Sequence, residues 1–339
     1  MTTFSDQDNF LNEMNKVSEY HLQHSSEYAS IVKSLFMGRA IASRIEDLPY
    51  LPITLFKDFQ LKSIPESSVY RILRSSGTQG QPSSIYLSKE NSRLQTKVLH
   101  ELFKKQFGTK RLPMVIFDSK SQLQSNSVAN ARKAAVVGFS AFASERVFVL
   151  DDNLKLDWGL LENFITEFRS SKIILFGFTF LIWQSLIIQN EKNKVVNIPK
   201  GIVLHGGGWK KLQGLNVSKN QFKASITNIT RTKEIVDYYG MAEQTGSIYF
   251  ECSSGYFHST NYSTLIIRDF ITHSPAPFGK EGLVQLLSTL PISYPGHSIL
   301  TQDIGIIHGE NDCECGEVGK YFSIIGRLPK SQVRGCSDV

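Results

Sequence analysis

The stretch "KIILFGFTFLIWQSLIIQNEKNKVVNIPKGIVLHGGG", residues 172–208, decides the fold that the sequence predicts. It opens with an apolar run of strand length, continues through a helical segment at 179–190, and returns to an apolar run at 201–204. Two buried strands joined by a helix are typical of a parallel βαβ unit. We expect the aromatic part, residues 176–183, to belong to the core; lining an acyl pocket is the alternative.

The same alternation extends upstream of this unit. Apolar runs at 114–118 and 146–150 have the length of buried strands, and a helical segment at 157–170 follows them. Sequences that alternate in this way form sheets of largely parallel strands covered by helices. The sequence therefore predicts an α/β fold with layered, mostly parallel sheets.

The two ends of the chain differ from its centre. Residues 1–45 show helical apolar spacing, and residues 245–325 carry short strands punctuated by Gly and Pro. No linker or internal repeat separates these parts. We expect one domain over 1–339, with a helical N-terminal part, a β-rich subdomain at 245–325, and a tail at 328–339.

Composition limits the classes of function. The chain has 339 residues, 41% hydrophobic and 20% charged, with a formal net charge of +6. Its basic residues are scattered, so no nucleic-acid partner is expected. The N-terminus lacks the features of a secretory signal, and the longest apolar run, residues 173–183, is too short to span a bilayer. These features predict a cytoplasmic protein without a membrane span.

A first candidate site is "RSSGTQGQPSSIY", residues 74–86. Backbone N–H groups and hydroxyls in a glycine-containing turn can converge on phosphate. The candidate residues are Ser75, Ser76, Gly77, Thr78 and Gly80. The alternative is a solvated surface turn, and the stretch is not a Walker A loop because no Gly-Lys-Ser/Thr follows.

Three later motifs are also candidates. In "HGGGWKK", residues 205–211, consecutive glycines let a backbone lie flat against a planar ring, although a plain strand-to-helix turn is an alternative. In "VDYYGMAEQTG", residues 236–246, an aromatic face can stack on a base and Glu243 can hold magnesium, or Glu243 is simply solvated. Asp303 and Arg327 stand where a carboxylate can accept from ribose hydroxyls and a guanidinium can meet phosphate.

The order of these motifs resembles that of the adenylate-forming superfamily of acyl- and aryl-CoA synthetases. The matching stretches are "SSGTQGQP", "YGMAE", "TQD" and "GR", within residues 45–336. The segment "LPYLPITLFKDFQL" is similar to phenylacetate-CoA ligases. The short length, "HGGGWK" and the terminal "RGCS" most resemble the acyl-protein synthetase (long-chain-fatty-acid–luciferin-component ligase) family of bacterial bioluminescence.

This resemblance implies ATP and Mg²⁺ as cofactors and a role for each motif. The loop from Ser75 to Gly80 would hold the ATP phosphates, and Glu243 would ligate magnesium. The adenine and ribose contacts would come from Gly206, Gly207, Gly208, Asp237, Tyr239, Gly240, Asp303 and Arg327. The chain departs from the superfamily pattern at Gln79, Ser83 and Gln302, and the C-terminal lid domain is expected to be absent because few residues follow Arg327.

Cys336 is the expected acyl acceptor. It stands in "VRGCSDV", a tail where a cation and small neighbours favour a usable thiolate. The resemblance implies that a long-chain fatty acid is activated as acyl-adenylate, and that its acyl group passes to this thiol and then to a reductase subunit or an acyl-carrier protein. The alternatives are an inert cysteine in a CoA or carrier-protein ligase, and a non-catalytic nucleotide-binding subunit.

The other three cysteines indicate a metal. Cys252, His258, Cys313 and Cys315 make up a Cys₃His set, which is a common structural zinc site. His308 and His297 are rival fourth ligands. The alternative is three buried thiols and an unrelated histidine.

Overall fold

The computed structural model describes residues 4–75, 82–121, 131–198, 200–207 and 217–328. Four of the described α-helices begin at a residue whose side chain accepts a hydrogen bond from the first turn, namely Ser25, Ser88, Asp157 and Ser218. The described helices are α1 (Phe4–His24), α2 (Ser26–Phe36), α3 (Leu55–Asp58), α4 (Lys89–Phe107), α5 (Ala131–Ser140), α6 (Trp158–Glu167), α7 (Thr179–Trp183) and α8 (Lys219–Thr230).

A six-stranded sheet confirms the parallel architecture that the sequence predicts. Its order is β5–β4–β6–β7–β8–β9, with all neighbours parallel except the antiparallel β9. The strands are β4 (Leu112–Ser119), β5 (Ala143–Leu150), β6 (Ile173–Phe178), β7 (Gly201–Gly206), β8 (Glu234–Tyr239) and β9 (Tyr249–Phe250). Residues 172–208 contain β6, α7 and β7, the expected βαβ unit.

A second, mainly antiparallel sheet forms the β-rich region. Its path is β10–β14–β13–β12–β11, and the short β1 joins it by pairing parallel with β13. The strands are β1 (Leu51–Pro52), β10 (Phe257–His258), β11 (Ser263–Arg268), β12 (Glu281–Ser288), β13 (Ser298–Glu310) and β14 (Lys320–Arg327). The pairing of β1 with β13 was not foreseen, because two residues carry no periodic signal.

A two-stranded hairpin stands apart from both sheets. It consists of β2 (Arg71–Arg74) and β3 (Ser84–Leu87), which pair antiparallel. The connection between them, residues 75–83, contains the glycine-rich candidate loop. A strand thus precedes that loop, and its partner is the strand directly after it.

Apolar side chains cover both faces of the parallel sheet. Every residue of β6 is buried, because neighbours flank it on both sides and helices cover both faces. Leu181 and Ile182 are also fully buried, so the aromatic segment at 176–183 is largely core. The expected helix at 179–190 differs in one respect: α7 passes into a π-helical turn at Gln184–Ile188. No helix in the described ranges has the length and apolarity needed to cross a membrane.

The N-terminal helices pack onto the β-rich region. Tyr28 and Val32 of α2 share a buried cluster with Ile299 of β13 and with Leu73 and Ile85 of the hairpin. His21 of α1 contacts the same region: the centroid of its ring lies 4.8 Å from that of His297. The predicted helical part at 1–45 therefore packs against the hairpin and the second sheet.

Candidate functional site

Tyr239, Asp303 and Arg327 lie where the two sheets meet. The parallel strands β7 and β8 end at Gly206 and Tyr239, and the antiparallel pair β13–β14 brings Asp303 opposite Arg327. Ligands of open α/β sheets bind beyond the carboxyl ends of the parallel strands. The crevice at this edge is therefore the candidate site.

Tyr239 and Asp303 join the two sheets directly. The Tyr239 hydroxyl donates to Asp303 Oδ2 over 2.7 Å, and Arg327 Nε lies 3.2 Å from Asp303 Oδ1. Burial, followed by the Asp303 charge, raises the pKa of Tyr239 well above its usual value, so its hydroxyl keeps its proton. The carboxylate is thus held in place by a neutral donor and a cation.

Glu243 is buried beside Ser83, the last residue of the connection between β2 and β3. It belongs to a 3-10 turn, Ala242–Gln244, and is 5% exposed. Burial raises the pKa of Glu243; the Ser83 hydroxyl beside it and the charge of Arg327 oppose that rise. Ser83 Oγ itself is buried and makes no hydrogen bond of ordinary geometry within the described residues. A solvated surface glutamate, the alternative reading of Glu243, does not match this position.

Two hydrogen bonds between Ser75 and Ser83 join the two ends of the candidate phosphate loop. Ser83 N donates to Ser75 Oγ over 3.0 Å, and Ser75 N donates to the Ser83 carbonyl over 3.1 Å. Ser75 and Ser83 therefore bring the two ends of the connection together next to Glu243. The predicted roles of the loop in phosphate binding and of Glu243 in magnesium binding require the two to lie close together.

Two glycines of the "HGGG" motif allow close packing against aromatic rings. A Cβ on Gly206 would collide with Tyr238, and one on Gly207, whose φ is +80°, would collide with the Phe178 ring. Gly240 similarly passes against Ile248. These contacts give the glycines a packing role inside the protein, and their predicted contact with adenine stays a prediction.

Asp237 lies at the edge of a buried polar group that the sequence analysis missed. Its Oδ1 is 3.7 Å from Nδ1 of His205, and its backbone N donates to Glu251 Oε2 over 3.1 Å. Burial, reinforced by the charge of Glu251, raises the pKa of Asp237 to about 7. Burial also lowers the pKa of His205 to about 3, so the imidazole is neutral, and its Nε2 has no protein partner in the described part of the chain.

Glu251 is held by two lysines of α8. Its Oε1 lies 2.6 Å from Lys223 Nζ and 3.0 Å from Lys219 Nζ. Burial alone would raise the pKa of Glu251, but the Lys223 hydrogen bond and the two positive charges outweigh burial and lower it. An ionised Glu251 thus fixes the strand that carries Asp237. No local motif indicates this cluster, because its members are brought together by β8, β9 and α8.

The four predicted metal ligands come together. The ligand atoms of Cys252, His258, Cys313 and Cys315 all lie within 4.8 Å of one another. The rival histidines have other partners: His308 Nε2 is 2.8 Å from Ser323 Oγ, and His297 Nε2 is 2.9 Å from Ser18 Oγ.

Several predicted residues lie outside the described part of the chain. These are Ser76, Gly77, Thr78, Gly80, Gly208 and Cys336. Their roles stay predictions. The described residues already provide a carboxylate with a paired cation, a buried carboxyl beside Ser83, and an aromatic ring at the end of a parallel strand.

The fold is shared with solved acyl-CoA ligases. A structure of 2-hydroxyisobutyryl-CoA ligase with 2-HIB-AMP and CoA in the thioesterification state has a TM-score of 0.71 at 13% identity, covering 97% of this chain and 70% of that one. An open conformation of the same ligase has a TM-score of 0.69 at 13% identity, covering 95% of this chain and 74% of that one. ATP-bound MatB from Rhodopseudomonas palustris has a TM-score of 0.50 at 15% identity, covering 78% and 49%.

Sequence relatives lead to a specific family. The long-chain-fatty-acid–luciferin-component ligases of Vibrio harveyi and Aliivibrio fischeri are each 22% identical, and each match covers 94% of this chain and 84% of the relative. A family model described as "Acyl-protein synthetase, LuxE" matches residues 4–339. The chain therefore belongs to the LuxE acyl-protein synthetase family and is an acid–thiol ligase.

Proposed function

We propose that this ligase activates a long-chain fatty acid with ATP as an acyl-adenylate and transfers the acyl group to the thiol of Cys336. The relatives whose names state a long-chain fatty acid support this substrate class. The observation that carries the proposal is the crevice where the Tyr239–Asp303–Arg327 contacts lie between the sheets, with the buried Glu243 beside Ser83.

Nucleotide binding follows from the donors and acceptors of this crevice. The Asp303 carboxylate would accept hydrogen bonds from the ribose hydroxyls, and Arg327 would balance the negative charge of Asp303. Tyr239 would stack on one face of adenine, Gly206 and Gly207 would line the other, and Asp237 would accept from the adenine amine. A carboxylate accepts this bond best when ionised; the charges of Lys219 and Lys223 favour that state by lowering the pKa of Asp237, whereas burial and the charge of Glu251 raise it.

The residues also fit a magnesium ion. Mg²⁺ prefers carboxylate oxygens and substrate phosphates, and Glu243 is a buried carboxyl beside the unpartnered Ser83 hydroxyl. Glu243 would hold the ion, which would neutralise phosphate charge. Arg327 and Lys57 are the cations that act on Glu243, and both lower its pKa. Such a site promotes phosphate chemistry mainly by positioning and charge neutralisation.

The two half-reactions then balance as follows. A carboxylate oxygen of the fatty acid attacks the α-phosphorus of ATP, the bond to the β-phosphate oxygen breaks, and pyrophosphate leaves. The Cys336 thiolate next attacks the acyl carbon, the acyl–phosphate bond breaks, and AMP leaves. The thiol proton passes to solvent. The thioester would be delivered to a reductase subunit or another carrier, in the cytoplasm.

One alternative acceptor has an observation in its favour. A solved 2-hydroxyisobutyryl-CoA ligase with the same fold holds CoA, so a CoA or carrier-protein thiol could take the acyl group in place of Cys336. A non-catalytic nucleotide-binding subunit is disfavoured, because the chain belongs to a family of ligases.

A labelling experiment separates these readings. Protein, ATP, magnesium and labelled tetradecanoate are incubated and run on a denaturing gel with and without hydroxylamine. We expect a hydroxylamine-sensitive label that is lost in Cys336→Ser, kept in the neighbouring control Ser337→Ala, and accompanied by normal ATP–pyrophosphate exchange in both. Exchange without any protein label would support the CoA or carrier alternative, and absence of exchange with any fatty acid would contradict the proposal.

A further inference from the structure

Two tight turns with the same geometry present the cysteines outside the tail. In residues 252–255 and 313–316, the glycine N–H donates to the carbonyl of the first cysteine, over 3.0 Å and 2.9 Å. Gly255 and Gly316 adopt φ values of +83° and +80°, a left-handed conformation that glycine adopts without strain. Each turn thereby directs cysteine side chains toward the same point.

The ligand set is complete within the chain. Cys252 comes from the first turn, Cys313 and Cys315 from the second, and His258 from β10. His258 Nε2 lies 3.3 Å from Cys315 Sγ, while His258 Nδ1 is buried without a hydrogen-bond partner among the described residues. The Glu317 N–H donates to Cys315 Sγ over 3.4 Å, a contact that suits a thiolate bound to a cation.

We propose that these four residues bind one zinc ion whose role is to clamp the two sheets together. Three sulfurs and one imidazole nitrogen in a compact group match the tetrahedral coordination that zinc prefers. Four protein ligands close such a site and leave no position for water or substrate, so the site is structural. Its role is therefore separate from the chemistry proposed for the crevice.

The four proposed zinc ligands lie between two parts of the fold, the connection from β9 to β10 and the β13–β14 hairpin. The chain leaves the parallel sheet at β9 and enters the antiparallel sheet at β10, and the turn carrying Cys252 lies in this crossing. The turn carrying Cys313 and Cys315 lies at the tip of the β13–β14 hairpin. A shared ion would thus pin the crossing between the sheets to the hairpin whose opposite end carries Asp303 and Arg327.

Hydrogen bonds between Asn311 and Gly319 close this hairpin tip. Asn311 N donates to the Gly319 carbonyl over 3.1 Å, and Gly319 N donates to Asn311 Oδ1 over 2.7 Å. Both bonds are within the hairpin. Glu317 pairs with Lys105 at the end of α4, but both side chains are largely exposed, so this pair contributes little. A metal would supply the strong link that these contacts do not.

Elemental analysis of the full chain tests the metal. We expect about one zinc per chain, released stoichiometrically by a mercurial that titrates thiols, and a cobalt(II)-loaded form with the strong visible absorption of tetrahedral thiolate coordination. Wild-type protein that contains no zinc and takes up neither zinc nor cobalt would overturn the proposal, as would iron in its place.

Matched variants test the ligands. Cys313→Ser and His258→Gln should lose the metal, whereas Cys336→Ser and His308→Gln should keep it. If a ligand variant does not fold, a mercurial titration of Cys336→Ser decides, because only the three proposed ligand thiols remain in that variant: zinc release should be complete when these three thiols have reacted. Metal that stays bound after those thiols react, or that is lost in His308→Gln, would contradict the assigned ligands.

Limited proteolysis tests the clamp itself. In the wild-type chain, chelation should expose the hairpin tip, residues 311–319, to cleavage before the rest of the protein, and added zinc should restore resistance. Equal cleavage rates with and without metal would show that the ion does not hold this tip. This result is independent of ATP–pyrophosphate exchange, so it remains interpretable if the proposed ligase substrate is wrong.

Discussion

The Tyr239 hydroxyl donates to the Asp303 carboxylate over 2.7 Å, and this bond links the last residue of a parallel strand to the antiparallel sheet. The ring of Tyr239 packs beside Phe257 and Phe322, with centroids 6.1 Å and 6.4 Å away. The hydroxyl and the ring therefore have separable roles: one orients a carboxylate and the other fills the junction between the sheets.

Replacing Tyr239 with Phe tests the hydroxyl alone. The ring packing stays, while Asp303 loses one donor and keeps Arg327, so we expect a loss of about 1–2 kcal/mol in the free energy of unfolding. Urea denaturation measures this change. Tyr70→Phe is the control, because Tyr70 is 56% exposed and should change stability by less than about 0.5 kcal/mol. Equal effects of the two variants would contradict an orienting bond.

Replacing Glu243 with Gln tests the proposed metal-binding carboxylate. An amide of the same shape keeps the packing but removes the negative charge, so ATP–pyrophosphate exchange should fall by about a hundredfold or more. Because burial raises the pKa of Glu243, exchange by the wild type should also decline as the pH falls and the carboxyl takes up a proton. The control is Glu234→Gln, which removes an exposed pair with Lys172 and should leave exchange unchanged. Normal exchange by Glu243→Gln would exclude this role.

Features of this protein are predictable from the sequence when the residues that form them are close together in sequence or belong to rare types. The strand–helix–strand unit at 172–208 was predicted correctly because its apolar runs are local signals. The cluster of Cys252, His258 and the paired cysteines was also predicted, since these residue types are rare enough to stand out together. Metal binding itself stays a prediction.

The polar group around Asp237 shows where such signals fail. Glu251 and Lys223 are ordinary surface residue types, separated by 28 positions in sequence, and they become a buried pair only when α8 packs beside β9. The "HGGG" motif was noticed for its glycines, but their close packing against Tyr238 and Phe178 depends on strand neighbours. Pairing between distant elements, rather than local pattern, supplies this part of the site.

Two buried histidines predict that the protein loses stability in acid. Burial lowers the pKa of His21 to about 3 and that of His297 well below its usual value. The two rings contact each other and Tyr28, and Tyr20 also contacts His21. Histidine in the unfolded chain titrates near pH 6.5. Below that pH the unfolded chain therefore binds protons that the folded chain does not, and stability falls with decreasing pH.

The expected slope is about 1.4 kcal/mol per pH unit for each such histidine, beginning below about pH 6.5 and extending toward the folded pKa. Urea titrations between pH 7 and pH 5 measure it. His24 is exposed, so His24→Gln should keep the slope of the wild type. A free energy of unfolding that is constant or rises over this range would show that the buried imidazoles accept protons in the folded state.

Gly207→Ala tests the packing of the "HGGG" backbone against Phe178. The substitution adds two costs: a left-handed φ of +80°, worth about 1–2 kcal/mol, and a collision between the new Cβ and the Phe178 ring. Gly38→Ala provides the matched control, because Gly38 has a φ of +78° and open space where its Cβ would stand. We expect Gly207→Ala to lose at least about 1 kcal/mol more than Gly38→Ala in urea denaturation, since overpacking in a close-packed interior costs about 1–3 kcal/mol.

The extra loss should shrink in a Gly207→Ala/Phe178→Leu double variant, measured against Phe178→Leu alone, because Leu removes the ring that the methyl group meets. If the two glycine variants lose equal stability, backbone conformation alone explains Gly207, and its contact with Phe178 contributes nothing to the fold.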